Sequence, residues 1–136
     1  MLHIDIETYS EADLTKTGVY RYAEDPSFEI LLFGVAVDDS PVVVYDLKMG
    51  EEIPEDIISA LQDNSITKWA FNAQFERVCL SRFLWDKGLL ARGAYLDPHG
   101  WRCDMVWAGY MGFPMNLREP EVLFSLMSRR WKRGSP

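Results

Sequence analysis

Apolar and polar positions change period several times along the chain, and each change marks an element. Met1 to Ile6 reads as a short buried strand running into polar residues. Residues 10 to 28 are mixed, with Gly18, Tyr20, Tyr22 and Pro26 breaking any pattern, and read as a long connection. Ile30 to Val37 (ILLFGVAV) is a continuous apolar run bounded by Asp38, Asp39, Ser40 and Pro41, which fits a central strand. Val42 to Tyr45 is a second β-branched run, so the pair predicts a hairpin. Pro54 stands where a first helical turn would begin, and Ile57, Ile58 and Leu61 carry helical spacing up to Asn64. Thr67 to Phe71 is again strand-like. Asn72 is placed to cap a helix whose Phe75, Val78, Cys79, Phe83 and Leu84 recur at three- and four-residue steps, to about Gly88. A loop from Gly93 to Gly100 leads to a last helical pattern, Met105 to Met111, stopped by Gly112 and Pro114. The order predicts a layered domain of the α/β or α+β class.

The 136 residues allow one domain with a real core, and 48% hydrophobic content with 13% aromatics excludes a disordered chain. No run reaches the ~18 to 20 apolar residues of a membrane span, and the opening residues show no secretory signal, so a cytoplasmic protein is expected. Cys79 and Cys103 make neither a disulfide framework nor a zinc pattern. The net charge of −7 argues against nucleic-acid binding by bulk charge. That charge is uneven: residues 1 to 120 carry a net −10, while Glu121 to Pro136 carries +3 through Arg129, Arg130, Lys132 and Arg133.

Two acidic segments stand out. In Asp5-Ile6-Glu7-Thr8, the carboxylates are two residues apart on a strand and so project from one face. Paired carboxylates repel unless a cation lies between them, and oxygen ligands suit Mg²⁺ or Mn²⁺. A solvated strand end has the same pattern. In Phe71-Asn72-Ala73-Gln74-Phe75-Glu76, an acid falls on the first turn of a helix, where the helix dipole alone would favour it.

Taken together, at this separation, the two segments resemble the DnaQ-like (ribonuclease H-like) 3′–5′ exonucleases, which open on Asp-x-Glu and carry a later Asn-x-x-Phe-Asp at a helix start. The runs Gly18 to Tyr22, Pro26 to Leu32 and Trp101 to Val106, with Gly112-Phe113-Pro114 and Asn116-Leu117, are similar to the proofreading region of phage and prophage family A DNA polymerases. The resemblance covers roughly residues 2 to 119. It implies a mixed sheet flanked by helices and two-metal hydrolysis of phosphodiester bonds at the 3′ ends of single-stranded or frayed DNA. Mg²⁺ or Mn²⁺ would be held by Asp5, Glu7 and Glu76. Thr8, Asn72 and Phe75 would position the terminal nucleotide, and a polymerase domain would follow in an intact relative. Glu76 stands where the wider family has Asp. Asp104 matches a family acid that is usually not a metal ligand and reads as a helix-start residue. His99 reads as a surface residue, and Trp85, Trp101 and Trp107 as core.

The family's third motif ends in an Asp preceded by a Tyr or His. No Asp follows Asp104 in this chain, so one metal ligand and the general base are missing from the set, and the domain reads as truncated before its last motif helix. Codons can be chosen for Met127 to Ser135 that, shifted by two bases, give the family's expected continuation. On that reading residues 120 to 136 are an out-of-frame basic tail, and a continuous gene frame with other codons would sink it. Two rivals to an active exonuclease domain are a non-catalytic prophage remnant and a binding module that uses the basic tail.

Overall fold

The structure is a computed structural model that describes residues 1–112. Strand β1 (Leu2–Tyr9) alternates as expected: Leu2, Ile4 and Ile6 are buried, while Asp5 and Glu7 are exposed. It runs three residues past the predicted strand. Its apolar face joins one core with Phe33 and Val35 of β2 (Glu29–Val37), Ile57 and Leu61 of α2 (Glu55–Gln62), and Val78, Leu80 and Leu84 of α3 (Ala73–Asp86).

Five strands form one mixed sheet in the order β3-β2-β1-β4-β5. Strand β3 is Val43–Asp46, β4 is Lys68–Ala70 and β5 is Trp101–Cys103. The predicted hairpin is present, with β2 and β3 antiparallel and the turn entered through Asp38 at φ 49°. β2 is an interior strand, as its double-sided burial requires, but the middle place belongs to β1. β1 pairs antiparallel with β2 and parallel with β4, and β4 pairs parallel with β5. The α/β layered reading therefore holds as a mixed sheet with flanking helices, and α3 packs on β1, β2, β4 and β5.

Two expectations need correction. The stretch from 10 to 28 is not a plain connection: Leu14–Glu24 forms α1, begun by Asp13, whose side chain accepts from Thr15 N–H at 3.0 Å. Gly18 at φ 80° breaks the helix internally, so no continuous stripe of apolar residues advertises it. The loop from 93 to 100 ends in a 3₁₀ turn, Pro98–Gly100, and then in β5. Three residues are too few to show alternation, and β5 exists because its backbone completes the edge of β4. The approach is close at Gly100, where a Cβ would stand 3.3 Å from Lys68 Nζ.

Asn72 occupies the N-cap position of α3 without a side-chain cap bond; its carbonyl accepts from Phe75 N–H at 2.9 Å instead. Trp85 and Trp101 are buried as expected, whereas Trp107 is 43% exposed, which overturns its core assignment. His99 lies on the surface with its ring 2.6 Å from Asp97. Both cysteines are free thiols.

The chain divides into two units at Asp104. Met1–Asp104 holds the whole sheet. The second unit contains most of α4 (Asp104–Tyr110), where Trp107 and Tyr110 meet edge to face at 6.4 Å, and Gly112 follows at φ 81°. Pro114, the Asn116-Leu117 segment, the missing third motif and the 120–136 tail lie outside the described residues. No helix among the described residues is long and apolar enough to cross a membrane.

Candidate active site

Strands β1, β4 and β5 run parallel and side by side, so their carboxyl ends open on one edge of the sheet. In open α/β sheets ligands gather at such an edge. Each of the three strands delivers an acid there. β1 carries Asp5 and Glu7 on its polar face, β4 leads through Phe71 and Asn72 into the first turn of α3 and Glu76, and β5 is followed at once by Asp104.

The end of β1 is shaped by a bulge. Glu7 pairs with Leu32, but Thr8 pairs with Ile30, so the register slips between them and the strand end turns. Thr8 Oγ1 then meets Tyr22 OH at 2.9 Å. The Tyr22 ring lies 5.9 Å from both Phe28 and Phe75. Two of the residues predicted to contact substrate, Thr8 and Phe75, are thus fixed to α1 through one tyrosine.

Helix α3 is held firmly beneath this edge. Arg82 Nη1 donates to the carbonyls of Ala23 and Asp25 at the end of α1, and its Nε donates to Asp86 at 3.1 Å. Ser81 Oγ donates to Arg77 O and accepts from Leu96 N–H, tying α3 to the loop before β5. Glu76 lies on the first turn of this anchored helix. It is 5% exposed, and its Oε2 has no hydrogen-bond partner among the described residues.

An unpaired buried carboxylate is costly, and the titration behaviour follows from that. Burial first, then the like charges of Asp5 and Asp104, push Glu76 up to about 8. Burial raises Asp104 to about 7. Asp5 is exposed at its outer edge, yet partial desolvation raises its carboxyl above the ordinary value, against a backbone hydrogen bond from Ile6 that lowers it. One turn along α3, burial and then the Glu76 charge push the Cys79 thiol up. The upward shift of Glu76 favours its protonated form at neutral pH.

The Asp5 carboxylate acts on Glu76 as a like charge, and Glu7 is exposed on the same face of β1 as Asp5. Asn72 stands exposed at the start of α3. Among the described residues no three His, Cys, Asp or Glu side chains converge closely enough to form a complete metal cage. Asp104 does begin a helix, as the sequence suggests, but it also belongs electrostatically with Glu76, which the sequence reading passed over. The available signal was its place directly after a strand parallel to β4, and β5 was too short to recognise.

The chain is 41% identical over 133 residues to a DNA polymerase of Bacillus phage SP02, a match that takes in 98% of this chain. The match spans only 19% of that polymerase, and it necessarily enters the 120–136 segment. No family model matches the chain. No solved structure matches it either.

Proposed function

We propose that residues 1–119 are part of a 3′–5′ exonuclease domain of the ribonuclease H-like kind, in the proofreading portion of a phage-type DNA polymerase. The observation that carries this reading is the delivery of Asp5, Glu76 and Asp104 to one sheet edge by three adjacent parallel strands, with Glu76 buried and its Oε2 unpartnered. The likeness to a phage DNA polymerase supports it.

The residues fit a divalent cation of the Mg²⁺ or Mn²⁺ class. The donors are hard carboxylate oxygens, and Mg²⁺ characteristically takes one or two carboxylates with water and substrate phosphate completing its shell. The unsatisfied Oε2 of Glu76 is the atom such an ion would satisfy. Asp5 and Glu76 would hold it, with Glu7 beside the 3′ end. Bound there, the ion would supply a nucleophilic hydroxide and neutralise phosphate charge. It would also relieve the conflict between an acidic site and an anionic substrate.

The chain's own residues do the rest. Burial keeps Glu76 in place, and its proton must leave before the carboxylate can bind a cation. Tyr22 fixes Thr8 and Phe75 at the mouth of the edge, where a terminal nucleotide would be gripped. Single-stranded or frayed DNA 3′ ends are the expected substrate.

The test is a labelled single-stranded oligonucleotide incubated with the protein across a Mg²⁺ and Mn²⁺ titration, beside Asp5→Asn. Metal-dependent shortening from the 3′ end, reduced about 100-fold or more in Asp5→Asn, is expected. Cleavage that persists in the variant overturns the site. Absence of both cleavage and metal binding in the parent chain points instead to a non-catalytic remnant.

A further inference from the structure

We propose that Asp104 is a positioning residue of the same cation site, acting from the far side of Glu76 through a metal-bound water. The inference rests on the reading above and adds a residue to it. Its basis is the register of the sheet. His3, Trp69 and Arg102 form one row across β1, β4 and β5. Asp5, inside β1, lies two residues beyond His3, and Asp104, directly after β5, lies two residues beyond Arg102, so both acids stand at the same level of the sheet. Two strand spacings separate them, about 10 Å. The gap between them is where β4 ends and α3 begins, and Glu76 sits on the first turn of α3.

Glu76 is therefore flanked by an acid on either side. The Glu76 side chain is more than nine-tenths buried, and its Oε2 has no protein partner among the described residues. An unpartnered buried carboxyl oxygen with an acid on each side of it is the local feature that a cation would satisfy. The three carboxyl groups do not converge to inner-sphere distance. A carboxylate about two strands from Asp5 would act on such an ion through one of the waters that Mg²⁺ or Mn²⁺ characteristically retains. An outer-sphere acid of this kind orients bound water and strengthens metal affinity without touching the ion.

The experiment uses the full chain and Mn²⁺ alone, followed by electron paramagnetic resonance of the free ion. Parent chain, Asp104→Asn, Asp104→Glu, Asp5→Asn and Glu76→Gln are titrated side by side, with a thermal melt of each. Asp104→Asn is expected to weaken Mn²⁺ binding about 10- to 100-fold while melting no lower than the parent, and Asp104→Glu to recover much of that loss. Retained affinity in Asp104→Asn, with affinity lost in Asp5→Asn and Glu76→Gln, overturns the role of Asp104 and leaves the exonuclease reading standing. If the parent binds no Mn²⁺, the site itself fails, and the inference with it.

Discussion

Replacing Glu76 by glutamine should change how stability depends on pH more than it changes stability itself. Glutamine keeps the shape of the side chain and removes its ionisation. In the folded protein Glu76 titrates at about 8, against 4.5 ordinarily. The native state therefore holds a proton that the unfolded state has released, and stability falls as pH rises toward 8. His3 acts in the opposite direction: burial lowers it from 6.5 to about 4, so its contribution grows with pH up to about 6.5 and is then complete.

The clean window lies between pH 6.5 and 8, below the range in which Cys79 contributes. Over about 1.5 pH units, at ~1.4 kcal/mol per unit, Glu76 removes about 2 kcal/mol of stability. Asp104, raised to about 7 and only half-buried, adds a smaller fall in the lower part of the window. Urea unfolding at 25 °C in chelator-treated buffer measures this directly. With a slope of ~1.5 kcal/mol per molar, the midpoint of the parent chain should drop by about 1 M from pH 6.5 to 8. In Glu76→Gln most of that drop should vanish. A parent midpoint that is flat across the window, or a variant that falls equally, refutes the burial of an unpaired Glu76 carboxyl.

Other consequences are separable from this one. Arg82→Ala leaves the Ala23 and Asp25 carbonyls without their shared donor, so urea unfolding should show a loss of about 3 kcal/mol. A loss below ~1 kcal/mol would mean that α1 and α3 are held together by packing alone. Gly18→Ala tests the break in α1: a helical glycine would gain from alanine, but φ 80° should make the change destabilising by about 1 kcal/mol, since nothing within 4 Å crowds a new Cβ. Tyr22→Phe removes the hydroxyl that meets Thr8 and should cost ~1 kcal/mol in a thermal melt, with a larger effect on oligonucleotide KM than on kcat.

Much of this architecture was readable from periodicity. The alternation of Leu2, Ile4 and Ile6 with Asp5 and Glu7 works because a strand has a period of two, so burial of one face fixes the exposure of the other. The apolar stripe of α3 and the hairpin between β2 and β3 were legible for similarly local reasons. The shared face of Asp5 and Glu7 needed nothing beyond that rule. α1 and β5 were not legible, because one is interrupted at Gly18 and the other is a three-residue edge that exists only through its pairing with β4.

The chemistry of the site was decided by tertiary structure. A carboxylate on a first helical turn is ordinarily solvated and ionised, and nothing around Glu76 in the sequence says otherwise. Its burial comes with the packing of α3 on the sheet, where Arg82 and Ser81 fasten the helix to elements distant in sequence. The strand register sets Asp104 level with Asp5, 99 positions away along the chain. Local sequence chose which residues carry charge. Only the parallel register of β1, β4 and β5 decided which of those charges come to the same edge of the sheet.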